Sequence, residues 1–144
     1  MRTLLTLSIL CAAASAAPVP KEVSKKTAME QLQGKWVIVT LDGGSGAQVQ
    51  TGDFAGFTLT IEGDKLSTAT TAGAGYKTVT VKYDFAAVPM QVNVQDGGGR
   101  ATPGIFKFED DKLYWCHGQS GGACPTEFKG GNGNHCSVWK RPDK

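Results

Sequence analysis

From Gly34 onward the chain alternates short runs rich in Val, Ile, Thr, Tyr and Phe with clusters of glycine. That is the pattern of antiparallel strands joined by turns. Eight such runs predict strands at 35–41, 54–62, 65–71, 76–85, 89–96, 103–109, 112–117 and 135–141. Eight strands close a small barrel, and an up-and-down meander of that size has room inside for packed side chains or one small ligand. The predicted class is all-β, an eight-stranded antiparallel up-and-down barrel, with a two-sheet sandwich as the competing arrangement. Upstream, Ala28, Met29 and Leu32 fall at near-helical spacing within 25–33, which predicts one short helix.

The links between these runs alternate in character. The odd links at 42–53, 71–75, 96–100 and 117–134 are long and glycine-rich, as in Gly43-Gly44-Ser45-Gly46 and Gly97-Gly98-Gly99. The even links are tight: Gly63-Asp64, the bend at Ala86-Ala87-Val88, and Asp110-Asp111. In a meander all odd links share one end and all even links the other. The pattern therefore predicts one end closed by hairpins and one ringed by mobile loops, where binding groups belong.

The first residues belong to another kind of segment. Arg2, an apolar run from Leu4 to Ala14 and the small residues Ala14-Ser15-Ala16 read as a signal peptide cleaved after Ala16. The run is too short for a stable membrane-spanning helix. Leu10 before Cys11 is too large for lipid attachment. The expected organisation is a signal peptide at 1–16, a flexible lead and helix start at 17–29, and one barrel domain at 30–144, exported to the periplasm or medium.

Composition narrows the function classes. The chain holds 15 Lys and Arg against 13 Asp and Glu, near balance, with no basic stripe interleaved with aromatics to draw it to nucleic acid. No second hydrophobic segment follows the leader, so no membrane attachment is expected after cleavage. Three cysteines follow the leader, Cys116, Cys124 and Cys136. In an oxidising compartment an odd number allows one disulfide and leaves one thiol.

Leu32-Gln33-Gly34-Lys35-Trp36 resembles the G-x-W signature at the first strand of lipocalins. Arg141, after Trp139, resembles the arginine that packs over that tryptophan and closes the barrel base in that family, so Gly34, Trp36 and Arg141 form a barrel-closing signature. Glu62-Gly63-Asp64-Lys65, Pro103-Gly104-Ile105-Phe106, Asp111-Lys112-Leu113 with Cys116, and Pro125-Thr126-Glu127-Phe128 extend the likeness. Over about residues 30 to 141 the chain is similar to a lipocalin-like domain of unknown function found in secreted planctomycete proteins. The resemblance implies a lipocalin-like barrel and no established activity. Cys124 stands where that family typically has arginine, and Cys136 looks like an addition. The resemblance thus implies a Cys124–Cys136 disulfide tethering the last loop.

The residues themselves offer a rival. Pairing the last two strands with Cys116 opposite Cys136 places His117 opposite His135 and Leu113 opposite Trp139. Period-two alternation then puts Leu113, Trp115, His117, His135, Trp139 and Arg141 on one face, the interior, with both histidines in the mouth. Trp115, His117, His135 and Arg100 are the candidate ligand-binding residues. Cys116, His117, His135 and Cys136 fit no standard zinc spacing, so a disulfide outweighs a metal site. No C-x-x-C-H attaches a haem, and no cofactor is expected. Glu109-Asp110-Asp111 sits in a turn where acidic groups are usually solvated, Gly97-Gly98-Gly99-Arg100 has no following helix to make a phosphate site, and no nucleophile elbow occurs. The aromatic set Trp36, Phe54, Phe57, Phe106, Phe108, Trp115 and Trp139 is expected mainly to fill a core, since burying each contributes about 1.5–3 kcal/mol. The expected function is a non-enzymatic binding module for a small or apolar ligand at the open end. The alternative is a protein-interaction or inhibitor module with a filled barrel.

Overall fold

The computed structural model describes residues 25–43, 48–50, 56–70 and 77–144. The leader at 1–16 and Phe54 lie outside the described residues. One helix, α1 (Lys25–Leu32), precedes β1 (Gly34–Asp42), β2 (Gln48–Gln50), β3 (Thr58–Glu62), β4 (Lys65–Ala69), β5 (Lys77–Asp84), β6 (Met90–Gln95), β7 (Ala101–Glu109), β8 (Lys112–His117) and β9 (His135–Lys140). From β3 to β9 each strand pairs antiparallel with the next, and β1 pairs with both β3 and β9. Eight strands therefore close an up-and-down, lipocalin-like barrel, and the open sandwich is excluded.

The strand β2 was not expected. Gln48-Val49-Gln50 pairs with Thr40–Asp42, while β3 pairs with the preceding stretch, Gly34–Val37. The two lie end to end along one edge of β1. Three residues with a single apolar member carry no alternation from which to predict a strand.

Alternation fixes which side chains face inward, and one irregularity resets it. Ile38 opposes Trp139 but Thr40 opposes Val138, so Val39 is an extra residue in a β-bulge. Beyond the bulge the parity changes, and Leu41 rather than Thr40 follows Trp36 and Ile38 into the interior.

The even links are hairpins, for identifiable reasons. Asp110 and Asp111 both adopt positive φ (51° and 58°) between the paired Glu109 and Lys112, the type I′ geometry whose twist matches the strands. Gly63 (φ 61°) serves the turn between Glu62 and Lys65. In the β5–β6 turn Asp84 Oδ1 accepts hydrogen bonds from the Ala86 and Ala87 N–H groups at 2.9 and 3.3 Å.

At this end the helix plugs the barrel. Leu32 is fully buried, and its carbonyl accepts the Trp36 indole N–H at 2.9 Å. Gln33 Oε1 accepts the Gly63 N–H at 2.6 Å. Arg141 lies with its guanidinium 3.7 Å from the centre of the Trp36 ring and donates to the carbonyls of Lys35 and Gln31. Gly34, at φ 98°, has no Cβ, and one built there would sit 3.2 Å from that guanidinium. The glycine in G-x-W thus makes room for the arginine that covers the tryptophan.

The odd links are less alike than their glycine content suggests. In the β6–β7 link Asp96 Oδ1 accepts the N–H groups of Gly98 and Arg100 at 3.1 and 3.2 Å, so this turn is internally tied. The long β8–β9 link is no member of a mobile ring. Gly118 and Gly121 donate to the carbonyls of Pro103 and Ala101 at 2.9 and 2.8 Å, the Lys107 ammonium lies over the Phe128 ring, and Gly130 donates to Asp42 Oδ2 at 3.0 Å. A Cβ on Gly130 would collide with the Asp42 carboxylate. The segment is a strap laid along the outer wall of β7 and β8 and fastened to the end of β1.

Candidate functional site

The site is built where β8 and β9 meet the open end. They pair with Leu113 opposite Trp139, Trp115 opposite Ser137, Cys116 opposite Cys136 and His117 opposite His135. Alternate residues therefore point to opposite faces: Trp115, His117, His135, Ser137 and Trp139 line an interior cavity. Cys116 and Cys136 form a disulfide on the outer face, with Cα atoms 4.0 Å apart, and the strap packs over them.

This corrects the Cys124–Cys136 pairing that the resemblance implied. Directly opposed cysteines on neighbouring strands are held within bonding range by the sheet itself. Cys124 sits in the strap as a free, half-buried thiol 3.5 Å from the Gly104 carbonyl, and burial raises its pKa.

The cavity measures about 470 Å³, within the range of small-molecule sites. Its floor is formed by Trp115, Trp139, Ile38, Leu59 and Leu66, which belong also to the buried core. Leu41, Phe57 and Val94 continue the apolar wall towards the mouth, where Thr68, Thr102, His117 and His135 supply the polar atoms. Ser137 is buried within this wall; its hydroxyl accepts the Trp139 indole N–H at 2.7 Å and donates to the Trp115 carbonyl at 3.3 Å. Both groups are thereby satisfied within the wall.

The two histidines stand side by side, ring centres 5.4 Å apart and planes within 18° of parallel. His117 Nδ1 lies 3.1 Å from the Gly118 carbonyl, which can only accept, so the neutral ring carries its proton on Nδ1 and a lone pair on Nε2. Burial pulls the His117 pKa below the ordinary histidine value; the Gly118 carbonyl opposes that shift and the neighbouring His135 adds to it. Opposite His117 on β7 is Gly104, where a Cβ would lie 2.7 Å from the Cys116 carbonyl oxygen. The Pro103-Gly104 step thus lets β7 and β8 close up beneath the histidine.

Of the four sequence-predicted ligand-binding residues, Trp115, His117 and His135 meet at the cavity. Arg100 stands exposed at the same end, in the turn organised by Asp96, and is not among the lining residues. That turn also spends the Gly98 and Arg100 N–H groups on Asp96, so it offers no nest for an anion. The aromatic set divides: Phe57, Trp115 and Trp139 line the cavity, whereas Trp36, Phe106 and Phe108 pack near the closed end. The aliphatic lining and the two threonines went unrecognised as site residues, because half-buried strands alternate identically whether they enclose a cavity or a core.

Other chemistry lies apart. Glu109, Asp110 and Asp111 belong to the closed-end hairpin beside Trp36 and Arg141. Among the described residues no three or more His, Cys, Asp or Glu side chains converge as a metal site. No helix among the described residues is long and apolar enough to cross a membrane. No family model, curated protein or solved structure matches the chain.

Proposed function

We propose that this chain is an exported, non-enzymatic binding module that takes a small apolar ligand into the open end of its barrel. The single observation that carries the reading is the 470 Å³ cavity with apolar floor and walls at the end away from the helical plug. A barrel built only to display loops gains stability from a filled interior. A space left open between Trp115, Trp139 and Phe57 forgoes those contacts. The cavity favours this reading over the filled-barrel interaction module. Export rests on the leader at 1–16, and a disulfide is in keeping with an oxidising destination.

The test is a titration of the protein with N-phenyl-1-naphthylamine, an uncharged apolar fluorophore. A saturable rise in its emission, with quenching of the tryptophans that line the cavity, is the expected result. Native mass spectrometry of protein taken from its own compartment gives the complementary measurement. Emission that grows linearly, without saturation or tryptophan quenching, would sink the reading.

A further inference from the structure

Resting on the binding reading above, one inference concerns the chemistry of the ligand's polar end. We infer that the His117–His135 pair is a head-group site, and that the ligand is a single-chain amphiphile with one anionic head, held by the two imidazoles while its chain fills the cavity.

Four observations converge. The cavity wall is apolar below and polar only at the mouth, so a ligand that fills it has one apolar and one polar end. The ionisable groups in the lining are two imidazoles and no carboxylate. Their near-parallel rings, on directly opposed residues of adjacent strands, can each donate an N–H to one anionic group lying across them. His117 is already oriented for this, because its Nδ1–H is held by the Gly118 carbonyl and any further proton enters at Nε2.

The surrounding charges lie outside the lining. On β1, Asp42 faces outward opposite Cys136 and receives the Gly130 N–H. In the β6–β7 turn, Asp96 is occupied by backbone N–H groups. Lys77 at the start of β5 and Arg100 before β7 are exposed cations, and the strap outside β8 and β9 carries the exposed pair Glu127 and Lys129, of opposite sign. Cys124, behind β7 on the strap, is a neutral thiol, its pKa raised by burial. Within the cavity itself an anionic head therefore meets two imidazoles and no carboxylate, whereas a cationic head finds no anionic partner in the lining.

The linkage has a definite sign. In the empty site burial favours the neutral His117 ring, and an anion at Nε2 favours the protonated one. Affinity for a carboxylate thus rises as pH falls through the histidine range, until the carboxylate itself begins to take up protons. An uncharged head of the same chain length shows no such dependence.

The experiment displaces bound N-phenyl-1-naphthylamine with decanoic acid, decanol and decyltrimethylammonium at about pH 8 and about pH 5.5. Decanoate is expected to bind roughly tenfold tighter at the lower pH, while decanol changes less than about twofold and the cation binds weakest. His117→Gln and His135→Gln keep polar side chains of similar size; each should flatten the pH response of decanoate, so that its affinities at the two pH values converge, and the circular dichroism spectrum reports whether the variant is folded. Equal pH response of decanoate and decanol, or preference for the cation, overturns the head-group assignment while the apolar-site reading stands. Failure of all three chains to displace the fluorophore overturns both.

Discussion

The two ends of the barrel are made from the same alternating strands and solve opposite problems. At the closed end Phe106, with no exposed surface, meets Tyr83, Phe85, Phe108 and Trp115 at ring-centre separations of 5.9–6.2 Å. Leu32 from the helix and Trp36 from β1 join the same core, with Arg141 laid over the outer face of the tryptophan. At the open end the inward positions are filled by Leu41, Thr68, Val94, Thr102 and the two histidines, and they leave space between them. Stability is concentrated at one end so that the other can remain open. The open end compensates from outside, through the Cys116–Cys136 bridge and the strap that covers it.

The largest test of this division is Phe106→Ala. Removing a fully buried ring from a packed aromatic cluster is expected to cost about 3–5 kcal/mol, read as a shift of the urea midpoint at unchanged slope. A loss below about 1 kcal/mol would mean that the closed end is as loosely filled as the mouth.

Removing the external brace comes next. The bridge spans a sequence separation of 20, and converting both Cys116 and Cys136 to Ser is expected to lower stability by about 3 kcal/mol, since a loop of that length regains its freedom in the unfolded chain. Hydrogen exchange should locate the change: amides of β8, β9 and the strap lose protection while those of β3 and β4 keep theirs. Uniform loss around the barrel would show that the two ends do not differ in this way.

How much of this was legible in the chain follows from the same contrast. The pairing of β8 with β9 could be read because Leu113, Trp115 and Trp139 mark one face, and setting Cys opposite Cys and His opposite His gives the register that the strands adopt, although the pattern alone left a one-residue slip open. The packing of Arg141 over Trp36 beside Gly34 was expected only through the resemblance to lipocalins, and the helix that plugs this end was expected as a helix without a place. The bulge at Val39 was not visible. It inserts an apolar residue into an already apolar run, Trp36-Val37-Ile38-Val39, where alternation is silent about which member is extra. The course of the strap was hidden for another reason: its anchors at Pro103, Ala101 and Asp42 are mostly backbone groups, and backbone hydrogen bonds leave no mark on composition. Glycines that read as freedom, such as Gly130, turn out to mark close contact.

The smallest effect on stability carries the sharpest distinction between the ends. Thr102 stands on β7 opposite Val94, half-buried at the cavity wall. Thr102→Leu adds apolar volume there. In a packed interior, extra methylene groups force neighbours off their rotamers and cost about 1–3 kcal/mol, but in the mouth the added atoms enter existing space. The expected change in unfolding free energy is within about 0.5 kcal/mol of zero, while N-phenyl-1-naphthylamine binding weakens several-fold. Ile61→Phe, at a fully buried position of the packed core outside the cavity lining, gives the control, with stability lost and fluorophore affinity held. If Thr102→Leu destabilised the protein as overpacking does, the open end would have to be re-read as a filled core, and the binding assignment would lose its physical basis.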